Sequence, residues 1–112
     1  MLIYKIAPAA QWRQAEASGT FAGAPVDLQD GYIHFSTAEQ AVETAAKHFA
    51  GQDDLLLIAI EADALGPALK WEVSRGGQLF PHLYGALPVA SAKSVAPIPL
   101  RPNGSHDFAG LL

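Results

Sequence analysis

Leu55-Leu56-Leu57-Ile58-Ala59-Ile60 is an unbroken aliphatic run of strand length. With no polar residue reserved for solvent, it reads as a central strand covered on both faces. Everything else in the chain is placed around it. On its N-terminal side, Ser36-Thr37-Ala38-Glu39 has the spacing of a capping box, in which Ser36 and Glu39 would satisfy each other's free amides. Val42, Ala45, Ala46 and Phe49 then recur on one helical face and Gly51 stops the segment, so a helix is predicted over 37–50. Tyr32 to Ser36 reads as a strand entered through an Asp30-Gly31 turn, and 21–30 is mixed. Pro8 suits the first turn of a helix over 9–17, with Trp12 and Ala15 inward and Gly19 as its stop. Residues 2–6 form a short opening strand.

On the C-terminal side, 63–66 reads as a helical turn. From Leu69 to Ser74 the pattern alternates, with Leu69, Trp71 and Val73 on one face and Lys70, Glu72 and Ser74 on the other. Arg75-Gly76-Gly77 is a turn, and Phe80 is held extended by Pro81. Residues 94–98 suit an edge strand, because Pro97 and Pro99 cannot donate to a ladder. A loose tail is expected from 101 to 112. The elements make one α+β domain over 1–112, with its ordered core at about 1–100.

Half of the 112 residues are hydrophobic and 16% are charged, a composition that supports a packed core. No apolar run approaches the roughly 20 residues of a membrane span, and the opening residues do not read as a signal peptide. The chain has no cysteine, which excludes disulfides, thiolate metal sites and a cysteine nucleophile, and suits a cytoplasmic protein. Net charge is −4 with seven scattered Lys and Arg, so duplex nucleic acid is not an expected partner whereas a small-molecule ligand is. Nothing in the pattern specifies an oligomeric state.

Two segments gather the polar chemistry. In Asp30-Gly31-Tyr32-Ile33-His34-Phe35-Ser36-Thr37, pointing Ile33 and Phe35 inward puts Tyr32, His34 and Ser36 together on the other face. His34 then lies beside a helix start whose amides favour an anion such as phosphate. Equally, Ser36 and Thr37 simply cap the helix and His34 bonds a neighbouring strand. In Phe80-Pro81-His82-Leu83-Tyr84-Gly85, an extended chain presents His82 and Tyr84 on one face, able to bind, orient or relay a proton, or alternatively to close an aromatic cluster. Glu72 faces either solvent, which its position alone favours, or a cleft. His48 and His106 fall outside this set. His34, His82 and Glu72 also make up a two-histidine, one-carboxylate inventory, although no compact metal-binding spacing occurs.

With Tyr4-Lys5-Ile6, Trp12, Gln40, Thr44 and Trp71-Glu72 added, these segments resemble a small, mainly bacterial family known as domain of unknown function 952. The resemblance covers residues 2 to about 100, and its paired I-H-x-S-T and F-P-H-x-Y-G motifs are specific. It implies an ADP-ribosyltransferase-like fold: two small sheets, mixed and largely antiparallel, around a nicotinamide-dinucleotide cleft, with two main helices. RNA 2′-phosphotransferases and rifamycin-modifying ADP-ribosyltransferases share that plan. In them a strand with a His-Gly pair opens the chain, and a strand ending in a motif similar to residues 33–37 follows. The first strand here reads Ile3-Tyr4-Lys5-Ile6 and has no His-Gly pair. Lys5 stands near that place, and a lysine is a donor only.

What the resemblance implies is a cleft for a nucleotide, NAD-like or phosphorylated molecule. Glu72, His34 and His82 would be its catalytic candidates, and Ser36, Thr37, Tyr84 and Lys5 its ligand-binding ones, with NAD as the candidate cofactor. Three classes stay open: an ADP-ribosyl or related transferase, a metal-dependent enzyme using His34, His82 and Glu72, and a non-catalytic binding module on the same scaffold.

Overall fold

The aliphatic run 55–60 sits inside β4 (Leu55–Glu61), and its side chains divide by parity. A computed structural model describes residues 1–112, except for the side chain of Arg75. In it β4 is the middle strand of an antiparallel sheet, β1-β4-β8, flanked by β1 (Leu2–Pro8) and β8 (Ala92–Ile98). Leu56, Ile58 and Ile60 pack with Ile3 and Ala7 against Trp12 and Ala15 of helix α1 (Ala9–Ser18). Leu55, Leu57 and Ala59 pack with Tyr4 and Ile6 against Ala41 and Ala45 of helix α3 (Ala38–His48). Two apolar layers thus meet one strand, and a period of two supplies both. β8 lies at the edge, in keeping with Pro97 within it.

A second antiparallel sheet has the order β3-β6-β5: β3 (Ile33–His34), β6 (Leu79–Leu83) and β5 (Leu69–Val73). A two-stranded ribbon joins β2 (Thr20–Phe21) to β7 (Leu87–Pro88). All pairings are antiparallel, so the expected mixed sheets are not found, and the ribbon is an addition to the two sheets foreseen. The two larger sheets touch where the Tyr4 amide donates to the Ser36 carbonyl at 2.8 Å and the Ser36 amide to the Tyr4 carbonyl at 2.9 Å.

Four local expectations differ from the structure. Thr37, not Ser36, caps α3: its hydroxyl accepts from the Gln40 amide at 3.3 Å while Gln40 Oε1 accepts from the Thr37 amide at 3.0 Å. The sequence offers S-x-x-E and T-x-x-Q in adjacent registers, and Ser36 is committed to pairing with Tyr4. Val42 is exposed, because the helix presents only small alanines to the sheet at close range. The mixed segment 21–30 contains a further helix, α2 (Pro25–Asp30), with Pro25 at its first position and Gly31 left-handed at its end. The expected loose tail folds back: Phe108 is buried beside Ile98, Arg101 donates to the His106 carbonyl at 2.9 Å, and Gly51 donates to the Gly104 carbonyl at 2.9 Å.

Candidate functional site

The β3-β6-β5 sheet has one apolar and one polar face, set by register. Ile33 pairs with Leu83 and Leu83 with Leu69, toward the core; His34 pairs with His82 and His82 with Lys70, on the opposite face. A cleft of about 460 Å³ opens beside that polar face. Its lining draws Tyr4 and Lys5 from β1, His34 from β3, Phe80 and His82 from β6, and Thr44 and His48 from α3. The cleft therefore lies between the two larger sheets, which meet at the Tyr4–Ser36 bridge.

Asp27 organises the deep end. The carboxylate is 1% exposed, yet it meets the Lys5 ammonium at 2.8 Å, His34 Nδ1 at 2.6 Å, the His34 amide at 3.1 Å and the Ala24 amide at 2.7 Å. Burial pushes this carboxyl up. The His34 hydrogen bond, the Lys5 charge and the Ala24 amide outweigh it and hold the group at about 2. Lys5 is itself buried, and desolvation pulls it below the usual lysine range against the opposing pull of Asp27. His34 is spanned by two acids, since its Nε2 lies 2.9 Å from Asp30 Oδ2. Gly23 makes room for Asp27: its φ is +122°, and a Cβ there would stand 2.8 Å from the Asp27 Cβ.

Behind His82, a second acid organises that histidine, and neither it nor its tyrosine partner lines the cleft. Glu72 Oε1 accepts from the Tyr84 hydroxyl at 2.7 Å and lies 2.8 Å from His82 Nδ1. The Tyr84 bond, then the His82 bond, lower the Glu72 carboxyl; the same contact raises the Tyr84 phenol to about 12. Tyr32 joins the two halves. Its ring stacks on His82 at 4.1 Å and tilts onto His34 at 4.6 Å and Tyr84 at 5.2 Å, and the two imidazoles stand 5.6 Å apart. Burial and the charges of Asp30 and Glu72 raise the Tyr32 phenol.

The structure brings His34, His82, Glu72 and Tyr84 together and treats the other candidates differently. Glu72 is 38% exposed on its side chain and turns along the polar face to His82, so the solvent alternative is only half met. Lys5 reaches the cleft wall but is held by Asp27. Ser36 lines the cleft, its hydroxyl 2.9 Å from that of Thr44. Thr37 is absent from the lining, and its capping box engages the Gln40 amide and its own amide at the helix start that was to cradle an anion. His48, set aside on sequence, lines the cleft; His106 lies elsewhere, buried, with Nε2 2.7 Å from the Gln52 carbonyl. Asp27, Asp30 and Tyr32 were missed as site residues. Pro25 with an acid two residues on is a signal for a helix start that would have singled out Asp27. Among the described residues no three His, Asp or Glu side chains are arranged to hold a metal ion, and His34 has both nitrogens engaged by acids.

The model of the family described as "Protein of unknown function (DUF952)" matches residues 6–95. The chain belongs to the DUF952 family. Among solved structures it is similar to protein CC0527 from Caulobacter crescentus. The X-ray structure of that protein is 51% identical, with a TM-score of 0.94 over 97% of this chain and 96% of the other. A double mutant of CC0527 aligns equally well at 50% identity. Its solution NMR structure has a TM-score of 0.88 at 51% identity, over 99% of this chain and 96% of the other. No curated protein matches. The DUF952 chain described here shares with these structures its α+β build, and no helix in it is long and apolar enough to cross a membrane.

Proposed function

We propose that the cleft binds a small nucleotide-type ligand through its ribosyl end, on a scaffold of ADP-ribosyltransferase-like plan, with NAD as the ligand class. One observation carries this reading: two carboxylate-held histidines face each other across Tyr32 on the wall of a cleft of about 460 Å³ between two sheets. That volume falls within the range of small-molecule sites. Tyr32 and Phe49, both partly exposed, offer aromatic surface to a flat ring. Asp30 and Glu72, both partly exposed, are acceptors for ribose hydroxyls.

The residues suit the nicotinamide-riboside half of NAD better than its diphosphate. Lys5 is neutralised by Asp27, both His34 nitrogens meet acids and the Gln40 amide of α3 is capped, so the site is poor in donors for an anionic group. If the bound molecule reacts, the bond between ribose and nicotinamide breaks, nicotinamide leaves with the electron pair, and water or an acceptor hydroxyl adds to the ribose carbon and loses its proton to solvent. Glu72 would then face the positive charge developing on the ribose carbon, held in place by Tyr84 and His82. Titrating labelled protein with NAD, ADP-ribose and nicotinamide riboside in two-dimensional NMR tests the reading. Shifts at Tyr32, His34 and His82 are expected at millimolar ligand; unmoved resonances at all three with every ligand would overturn it.

A further inference from the structure

We infer that this chain forms a symmetric dimer by pairing β5 with β5 of a second copy, which brings Lys70 of one copy against Glu72 of the other. The inference stands independently of what the cleft binds. β5 has β6 on one side only, and among the described residues no strand pairs with its other edge. The direction of its free groups follows from the ladder. Tyr84 donates to the Ala68 carbonyl at 2.9 Å and Ser74 to the Gln78 carbonyl at 2.9 Å. With Lys70 opposite His82 and Glu72 opposite Phe80, the even-numbered residues hold the bonds to β6. Trp71 faces Pro81, which has no amide hydrogen to give. The amides and carbonyls of Trp71 and Val73 and the carbonyl of Leu69 therefore point outward along the open edge, while the Leu69 amide donates to the Gly66 carbonyl.

An antiparallel self-pairing centred on Trp71 satisfies the amide and carbonyl of Trp71, the amide of Val73 and the carbonyl of Leu69. It sets Trp71 against Trp71 of the second copy and Leu69 against its Val73, as hydrogen-bonded pairs. Lys70 and Glu72 then fall opposite each other in the non-hydrogen-bonded positions, where side chains approach most closely, and symmetry makes the ion pair twice. This charge complementarity of β5 with itself selects a second copy as the occupant. The apolar face agrees. Trp71, Val73 and Leu79 overhang the core at 38%, 70% and 52% exposure and lie side by side, since Val73 pairs with Leu79. Continuing the sheet across the edge sets Trp71 of the two copies side by side and joins their strips into one. Glu72 already holds His82 and Tyr84 through Oε1, so the second copy would bring a lysine beside that group.

Sedimentation and cross-linking test this together. The unaltered protein should sediment at twice its 11.8 kDa chain mass. Because the chain has no cysteine, Trp71→Cys gives one thiol at the symmetry axis, and mild oxidation should yield covalent dimer where the exposed control Val42→Cys does not. Lys70→Glu should weaken association by about tenfold or more, and the exchange Lys70→Glu with Glu72→Lys should restore most of it. A monomer at about 0.5 mM, well above the weak end of specific association, overturns the inference. So does a dimer in which Trp71→Cys cross-links no faster than Val42→Cys, or one indifferent to Lys70→Glu.

Discussion

Asp27 and Glu72 each hold a histidine through Nδ1, at 2.6 Å and 2.8 Å, yet they stand in opposite surroundings. Asp27 is sealed among Lys5, His34 and the Ala24 amide, whereas Glu72 is 38% exposed and shares its oxygen between His82 and Tyr84. In a dry place every unmet partner is expensive, so the Asp27 group is bound into the fold. Where Glu72 stands, water replaces a lost partner. Two similar bonds thus divide into one bound into the fold and one that the fold needs less.

The largest test of that division is Asp27→Ala. It strands the Lys5 ammonium in a buried site and should cost about 3–5 kcal/mol in urea unfolding. Pairing it with Lys5→Met removes the stranded charge and should recover a good part of the loss. Failure of Asp27→Ala to destabilise would erase the distinction between the two acids. Next in size is the acid limb. Asp27 sits at about 2 in the folded chain, below the value of about 3.9 in an unfolded one, so its contribution is complete above pH ~4 and fades as pH falls toward 2. Integrated over that window it amounts to about 2.6 kcal/mol, readable as a loss of unfolding free energy that is absent in the Lys5→Met, Asp27→Ala pair.

Gly23→Ala should cost about 2 kcal/mol, since a Cβ would press on the Asp27 Cβ at a φ of +122°. Thermal unfolding unchanged by that substitution would mean Asp27 has slack to move. Smallest in stability, and sharpest for the comparison, is Glu72→Gln. Its melting temperature should match that of the parent, while the Tyr84 phenol falls from about 12 toward its ordinary 10, followed by ultraviolet absorbance. A large drop in melting temperature would make Glu72 a structural acid like Asp27.

Leu55 to Ile60 needed only a strand of period two to announce a strand with two covered faces, and both layers are present. Alternation likewise put Tyr32 with His34, and His82 with Tyr84, on common faces, because a strand fixes that relation locally. The first strand also read correctly, and Lys5 stood out as unusual in it. What no local pattern held was the partner of Lys5. Asp27 lies 22 residues away in a segment that read as mixed, and only the packing of α2 against β1 and β3 brings the acid to both Lys5 and His34. Capping register was undecidable for a similar reason: Ser36 and Thr37 offer equal chemistry, and the bridge to Tyr4 assigns one to the sheet and the other to the helix. The sequence by itself determined the apolar faces and which side chains share them, since neighbours along a chain set those. The tertiary structure alone decided which charges meet and which of them lose water, because ion pairs and burial depend on residues that are distant along the chain.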